Sequence, residues 1–597
     1  MGYENFVQVM LDRFRERPGK PCMRYFRGGA WRDLTYAEVE ERVRSISAAL
    51  VRAGLRPGDR AAIFSRNRPE WALCDLAIQF AGGVVAPVYA DLRSEEAAYV
   101  LRHSDSRVVF VEGETELGKV LAARGSLPLL ERAVAFDPAP EGDGFTEPLS
   151  AFEATGDPAV GRERVEQSAR APSSTPLTLV YTSGTTGDPK GAVMTHGNAV
   201  GVVEAVLAAV GPENHLGLNL SFLPLAHSLE RVAGHFTPLY LGGTIAYSRG
   251  PEFLVEDFAA VRPEYAIAVP RFFEKVHDRI QAQMAREPGW KRRMARWALE
   301  AGRKRSLLLE SGRPVPPSLG LKCALANALV FSKIQNRLGG RLKYFVSGGA
   351  PLAADLARFF HAVGILVCEG YGATETSAPA TCNTPEAFRF GTVGRPLPGV
   401  EIRLEADGEI LVRGPNVFAG YFKDPAATAA VFTPDGFYRT GDVGEMDADG
   451  FLKITDRKKE LIITASGENI APTKLENLLK ARPGISNALV HCDRRPYVVA
   501  LLTLDRPALD GVRPGLSSAP LDAPELLSHV RAQVDAVNAS LSRVEQIKVY
   551  RILEEDFSAE SGTMTLTFKL KRRVIEARYR EELEEMYGGH VGRVGGL

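Results

Sequence analysis

The sequence predicts an α/β protein in two parts. A large N-terminal domain of α/β layers carries a small antiparallel β subdomain, and a small α+β C-terminal domain follows. Three observations predict this. The chain has 597 residues, more than one ordinary domain holds. From Arg60 onwards short apolar strands alternate with helical stretches, the pattern of a largely parallel sheet. From Pro398 the texture changes to hairpins closed by Asp-Gly turns, and after Asp456 a charged run precedes renewed α/β alternation. The expected domains are therefore 1–456, with the β subdomain at about 385–456, and 457–597.

Taken in order, residues 5–55 are expected to be helical, with a capping box from Thr35 to Glu38 ahead of Val39, Val43, Ile46 and Leu50. Arg60–Phe64, Gly83–Val88 and Arg107–Val111 read as buried strands, with a helix through Trp71 and Ile78 after the first. Residues 136–176 are rich in Pro, Gly, Ala and acidic residues and read as a loop or loosely packed excursion. A helix is expected through Val200, Val203, Val206 and Leu207. Strands follow at Leu218–Leu223, closed by Pro224, and at Thr244–Tyr247 and Tyr265–Val269. Glu405-Ala406-Asp407-Gly408 and Asp447-Ala448-Asp449-Gly450 read as the turns of two hairpins.

Composition narrows the function classes. Lys plus Arg and Asp plus Glu each total 73, so no global charge favours nucleic acid. Six scattered cysteines form no CxxC pair, which suggests neither a zinc site nor a disulfide framework and fits a reducing cytoplasm. Glu4, Asp12 and Arg13 near the start are no secretory signal, and Phe6 stands where myristoylation wants Ser or Thr. No apolar run approaches the roughly 20 residues of a membrane span. The expected location is cytoplasmic, with peripheral contact at the inner face of a membrane left open. A basic helix at 290–305 with Trp290 and Trp297 is the segment that raises this question; it reads first as a plain surface helix.

The chemistry starts at Leu179–Asn198. This stretch opens apolar, as the end of a buried strand, and becomes a run of hydroxyls and glycines: Thr182, Ser183, Gly184, Thr185, Thr186 and Gly187, closed by Pro189, Lys190 and Gly191. Glycines let backbone N–H groups converge, the hydroxyls add donors, and Lys190 adds a mobile positive charge; this is a device for holding a polyphosphate. It is not a Walker A loop, because Asp188 and Pro189 separate Gly187 from Lys190. The stretch resembles the phosphate-binding signature of the AMP-forming adenylating enzymes, which include acyl-CoA synthetases, firefly luciferase and peptide-synthetase adenylation domains.

Further motifs follow in the order of that family. Gly348, Gly349 and Ala350, after the strand Tyr344–Val346, resemble the adenine and acyl-pocket segment of long-chain acyl-CoA synthetases. Glu369, Gly370, Tyr371, Gly372, Thr374 and Glu375 resemble the Tyr-Gly-x-Thr-Glu motif; there Tyr371 could stack on adenine, Thr374 bond a phosphate oxygen and Glu375 hold Mg²⁺, with Thr182 as its second ligand. Asp442, in Thr440-Gly441-Asp442, offers two acceptor oxygens, and the resemblance assigns it to the ribose hydroxyls. Asp456–Glu460 resembles the hinge, with Arg457 helping to hold the nucleotide and Lys459 at the hinge position. The segment around Gly467 resembles the loop that swings towards CoA. His227 lies in a segment that lines the acyl site in the family and would orient the carboxylate. Near the end, Lys569 aligns with the adenylation lysine, and Lys571 is its competitor.

The resemblance implies ATP-dependent activation of a long-chain fatty acid to acyl-AMP and then to acyl-CoA. ATP, Mg²⁺ and CoA would be needed, and the C-terminal domain would be mobile and the β subdomain barrel-like. A homodimer is left open. The rival readings are a fatty acyl-AMP ligase that loads a carrier protein, a peptide-synthetase adenylation unit, and a non-catalytic nucleotide-binding paralogue.

Overall fold

The computed structural model describes residues 2–137, 144–182, 188–214, 217–458, 462–465, 469–558, 560–565 and 569–588. Two large sheets form its bulk. A seven-stranded sheet has at its centre the parallel strands Ser106–Val111, Arg60–Phe64 and Val84–Val88, flanked by Pro176–Thr182. A nine-stranded sheet has at its centre the parallel strands Leu366–Ala373, Tyr344–Ser347, Tyr265–Ala268, Leu218–Ser221 and Thr244–Tyr247.

Alternation along the strands explains why each sheet is covered on both faces. Ala61 and Ile63 join one hydrophobic cluster, and Ala62 and Phe64 join another. The first cluster also takes Val43 and Leu50 from the helix Tyr36–Arg52, Trp71 and Leu76 from Pro69–Phe80, and Val203 from His196–Val210. It reaches Met23 and Ile245 of the nine-stranded sheet. A layer of helices is therefore buried between the two sheets, and both sheets are apolar on both faces, as parallel sheets require.

The four-stranded antiparallel sheet runs Glu401–Leu404, Glu409–Arg413, Tyr438–Met446 and Leu452–Arg457. Backbone bonds from Val393 N to Leu452 O and from Leu452 N to Gly394 O, both 2.8 Å, tie its last strand back towards the nine-stranded sheet. Beyond it lies a smaller unit with its own core. There Ile485–His491, Val498–Leu504 and Ile547–Ile552 form a three-stranded sheet packed against Pro472–Lys480 and Pro524–Asn538.

Two expectations need correction. Residues 5–55 are not one helical run: helices Phe6–Glu16 and Tyr36–Arg52 flank a hairpin of Pro21–Arg27 and Ala30–Thr35. Gly28 and Gly29, at φ 62° and 80°, form its two-residue turn, the geometry a primed hairpin turn needs. The expected capping box is present, with Thr35 N donating to Glu38 Oε2 at 2.7 Å. Residues 136–176 are not merely a loop. They contain Thr146–Pro148, Leu149–Ala154 and the helix Pro158–Ala169. Asp157 caps that helix, and Gly161 admits it onto Ala48, where a Cβ would come within 2.8 Å of the Ala48 methyl.

Candidate active site

The strand Pro176–Thr182 turns back into Lys190–Thr195, with Thr182 opposite Lys190. The phosphate-type stretch is thus followed by an antiparallel strand, not by the helix that follows a Walker A loop. Ser183, Gly184, Thr185, Thr186 and Gly187 lie outside the described residues, as do Lys459 and Gly467. All other residues singled out from sequence line one open cavity of about 2580 Å³: Thr182, Lys190, His227, the Gly348–Ala350 turn, Glu369 to Gly372, Thr374, Glu375, Asp442, Arg457 and Lys569.

The two central loops are linked by a residue that sequence reasoning missed. The segment 418–422 pairs along the outer edge of Lys190–Thr195, with Val193 N to Gly420 O at 2.9 Å and Phe422 N to Gly191 O at 2.8 Å. This places Tyr421 between the loops. Its hydroxyl donates to Glu375 Oε1 at 2.8 Å, and the Lys190 ammonium sits 5.1 Å above its ring. Burial and the Glu375 charge raise the Tyr421 pKa, so its hydroxyl stays a donor. Its only sequence signal is Gly420-Tyr421 just before the Asp424-Pro425 helix start.

The strand Leu366–Ala373 ends in a single turn, Thr374–Thr376, closed by Thr376 Oγ1 accepting from Ala373 N at 2.8 Å. Gly372 cannot carry a side chain, because a Cβ would stand 1.8 Å from the Ala378 carbonyl. Tyr371 donates its hydroxyl to Asp442 Oδ2 at 2.7 Å, and Arg457 Nε donates to Asp442 Oδ1 at 3.1 Å. Both carboxylate oxygens of Asp442 are thus oriented, and each retains a lone pair for a ribose hydroxyl. Glu369 has a different position from its neighbours. It lies buried beneath the Gly348–Ala350 turn and accepts from Leu352 N at 2.9 Å. Burial pushes its carboxyl up to about 8. Glu369 shapes the turn.

His227 begins the short helix Ser228–Glu230, and its Nδ1 accepts from Leu229 N at 3.2 Å. The proton of the neutral ring therefore sits on Nε2. Burial, then the charge of Lys569, lower its pKa to about 4. The small C-terminal unit thus delivers Lys569 to within electrostatic reach of the His227 ring. Lys571 also lines the cavity, but its charge acts on Glu96, and it begins the helix Arg572–Arg578.

Among the described residues no group of three or more His, Cys, Asp or Glu could cage a metal. Glu375, with one oxygen engaged by Tyr421, and the Thr182 hydroxyl, which lines the same cavity, are a different arrangement. One carboxylate with a hydroxyl suits a Mg²⁺ ion whose other ligands are phosphates and water.

The family model described as AMP-binding enzyme matches residues 11–422, and the model for the AMP-binding enzyme C-terminal domain matches 459–590. The chain is 36% identical over 593 residues to the long-chain-fatty-acid–CoA ligase FadD15 of Mycobacterium bovis, covering 98% of this chain and 97% of the relative. It is 33% identical to fatty acyl-CoA synthetase A of Dictyostelium discoideum, covering 94% and 86%. In fold it matches the anthranilate CoA ligase AuaEII bound to anthranoyl-AMP, with TM-score 0.74, 18% identity and 98% and 99% coverage. It also matches the adenylation domain of a Mycobacterium chelonae carboxylate reductase, with TM-score 0.74, 23% identity and 98% and 91% coverage. With both parts matched in order and the motif loops converging on one cleft, the chain belongs to the AMP-binding, adenylating enzyme family.

Proposed function

We propose that this protein activates a long-chain fatty acid with ATP to a bound acyl-adenylate, releasing pyrophosphate, and then transfers the acyl group to the thiol of CoA, releasing AMP. The observation that carries this reading is the cavity itself. Its polar end joins Lys190, Glu375, Asp442 and Lys569, and it continues between the helix His196–Val210 and the strands of the nine-stranded sheet. That branch is lined by Val206, Val210, Val232, Ala233, Leu241 and Tyr344, which suits a hydrocarbon chain. The long-chain ligases named among its relatives support the same substrate class.

In the first step a carboxylate oxygen attacks the α-phosphorus of ATP, and two anions must meet. Positioning and charge neutralisation supply most of the rate in such phosphoryl chemistry. The neutral His227 donates Nε2–H towards the carboxylate, Lys569 brings positive charge to the same place, and Lys190 and Thr374 receive phosphate oxygens. Asp442, oriented by Tyr371 and Arg457, takes the ribose. Mg²⁺, when bound, would be held by Glu375 and Thr182 and would neutralise phosphate charge. In the second step the sulfur attacks the acyl carbon and AMP leaves.

The second step needs room where Lys569 sits, so we assign the arrangement with Lys569 near His227 to the first step. We place the division between the N-terminal domain and the mobile C-terminal domain at residues 456 and 457, with Lys459 at the hinge and the segment around Gly467 turning towards CoA. Lys458 fixes the strand end next to it, through Asp407 at 2.6 Å and Glu409 at 2.9 Å. Peripheral contact with a membrane, through the basic helix Gly289–Glu310, belongs to the same reading. Pyrophosphate release across a panel of fatty acids, with and without CoA, tests it. Release that requires a long-chain acid, with acyl-CoA formed when CoA is added, is the expected result. No AMP from any acid would refute the activity, and acyl-AMP accumulation that ignores CoA would refute the acceptor.

A further inference from the structure

We infer that the helices Gly289–Glu310 and Pro317–Ala326, with the π-helical turn Asn327–Phe331, form a docking face for an anionic lipid bilayer. The helix Gly289–Glu310 leaves several of its large apolar residues in solvent. A surface helix of a globular protein ordinarily turns its large apolar residues inwards. Here the buried positions are Ala295, Ala298, Ala301, Gly302 and Ser306. Gly302 packs so closely that a Cβ would stand 2.3 Å from the Ala362 carbonyl. Leu299 packs against the core, but three of the large apolar side chains point out. Trp290 is 60% exposed, Trp297 37% and Leu307 56%.

The second helix lies against the first, with Cys323 Sγ donating to Ala301 O at 3.5 Å. It repeats the pattern: Leu321, Leu325 and Leu329, spaced four residues apart along one stripe, are 66%, 50% and 47% exposed. These six account for most of the exposed tryptophan and leucine among the described residues. Charge is as skewed as polarity. Residues 289–337 hold eleven Lys and Arg against two acidic residues, Glu300 and Glu310, in a chain whose charges balance to zero. Glu310 does not dilute the face, because its carboxylate pairs inwards with Arg358 at 3.2 Å.

Exposed leucine and tryptophan interleaved with arginine and lysine match the boundary between headgroups and acyl chains, where each class of side chain finds its own layer. A dissolved polyanion would use the cations and leave the leucines in water. Position adds to the case. Arg358 lies on the helix Ala354–Ala362, which follows the Gly348–Ala350 turn, and Arg358 itself lines the catalytic cavity. Docking would hold the cavity rim beside the phase in which long-chain fatty acids dissolve. The choice of what is collected there rests on the proposed activity; the docking itself does not, since it is measured without turnover.

The test is co-sedimentation of the full chain with phosphatidylcholine vesicles, with and without phosphatidylglycerol. Binding to the anionic vesicles that weakens as salt rises is expected, with about a fivefold loss for each basic residue neutralised. The variant Arg293→Gln, Arg296→Gln, Arg303→Gln and Lys304→Gln should lose it. The variant Leu321→Asp and Leu325→Asp, altered only at exposed positions, should lose it too while still converting a soluble medium-chain acid to acyl-CoA at the parent rate. Equal binding to both vesicle types, binding unchanged in either variant, or binding to heparin but not to vesicles would overturn the assignment.

Discussion

Arg231 offers a stringent test of how this fold holds its chemistry in place. Its side chain is completely buried between the two large sheets, on the π-helical turn Arg231–Phe236 four residues beyond His227. One amine donates to Thr178 Oγ1 at 2.8 Å, on the strand that ends at Thr182. Another pairs with Asp75, also fully buried, on the central helix Pro69–Phe80. Asp75 further accepts from Gln79 at 2.9 Å and contacts His235 Nε2 at 3.1 Å. This network fastens the segment that carries His227 to the strand that leads into the phosphate-type loop. Arg231→Met keeps much of the volume but leaves the Asp75 carboxylate buried with two weaker partners. Breaking a buried pair from one side costs about 3–5 kcal/mol, whereas removing both charges together is often nearly neutral. Asp75→Leu alone should therefore be as damaging as Arg231→Met, and the double variant should recover at least about 2 kcal/mol of the summed loss. Urea unfolding followed by fluorescence measures this. Pyrophosphate release at a temperature where all three variants are folded measures the consequence: the single variants should lose about ten- to a hundredfold in kcat as His227 loosens relative to Thr182. Single-variant losses that simply add in the double variant, within about 0.5 kcal/mol, would refute the coupling.

Three other perturbations follow from the same geometry. Tyr421→Phe deletes the donor that orients Glu375, so pyrophosphate release should fall about tenfold and half-saturation should shift to higher Mg²⁺, a hydrogen bond to a charged acceptor being worth about 1.5–3 kcal/mol; an unchanged Mg²⁺ titration would count against Glu375 as the metal's carboxylate. Lys458→Ala releases the strand end from Asp407 and Glu409, so acyl-adenylate formation should be spared while the rate of acyl transfer to CoA changes; equal effects on both half-reactions would remove the hinge from the account. Ala233→Phe narrows the apolar branch, and the preferred acid should shorten by several carbons, each lost methylene being worth about 0.8 kcal/mol of burial, read as kcat/KM across a chain-length panel.

What could be read in advance is what chain-local physics encodes. The short apolar runs at Arg60–Phe64 and Val84–Val88, the Thr35–Glu38 capping box and the Asp407-Gly408 turn each carry their own signal within a few residues. The motif loops were legible for the same reason, since their hydroxyls, glycines and charges are contiguous. The hairpin of Pro21–Arg27 and Ala30–Thr35 was lost because helical spacing on either side outweighed the Gly28-Gly29 turn between them. The helix Pro158–Ala169 was lost because its cap, Asp157-Pro158, lies in a stretch whose composition averages to loop. The network around Arg231 had no sequence signal at all. Arg231 and Asp75 are 156 positions apart, and only the packing of the two sheets brings them together.

Glu369 shows the same limit with a sign attached. Grouped by sequence with the cofactor-binding residues, it lines the same cavity, and its buried carboxyl also holds the Leu352 amide beneath the Gly348–Ala350 turn. Burial raises its folded pKa to about 8 from its ordinary value of 4.5. Below about pH 4.5 both folded and unfolded chains carry its proton, so it imposes no penalty. As pH rises from there towards 8 the unfolded chain ionises first, the folded chain binds the extra proton, and stability falls. Glu369→Gln keeps an oxygen for Leu352 N–H and cannot ionise. It should match the parent near pH 4.5 and become progressively more stable than it up to about pH 8, as read from urea midpoints across that range. Buried histidines act in the opposite sense. His196, His227 and His361, each lowered to about 4, make both proteins lose stability as pH falls below about 6.5, so only the difference between variant and parent isolates Glu369. A Gln variant whose advantage stays constant from pH 5 to pH 8 would mean that Glu369 is already ionised beneath the turn. Water from the cavity that Glu369 lines would then have to solvate the carboxylate in place of its proton.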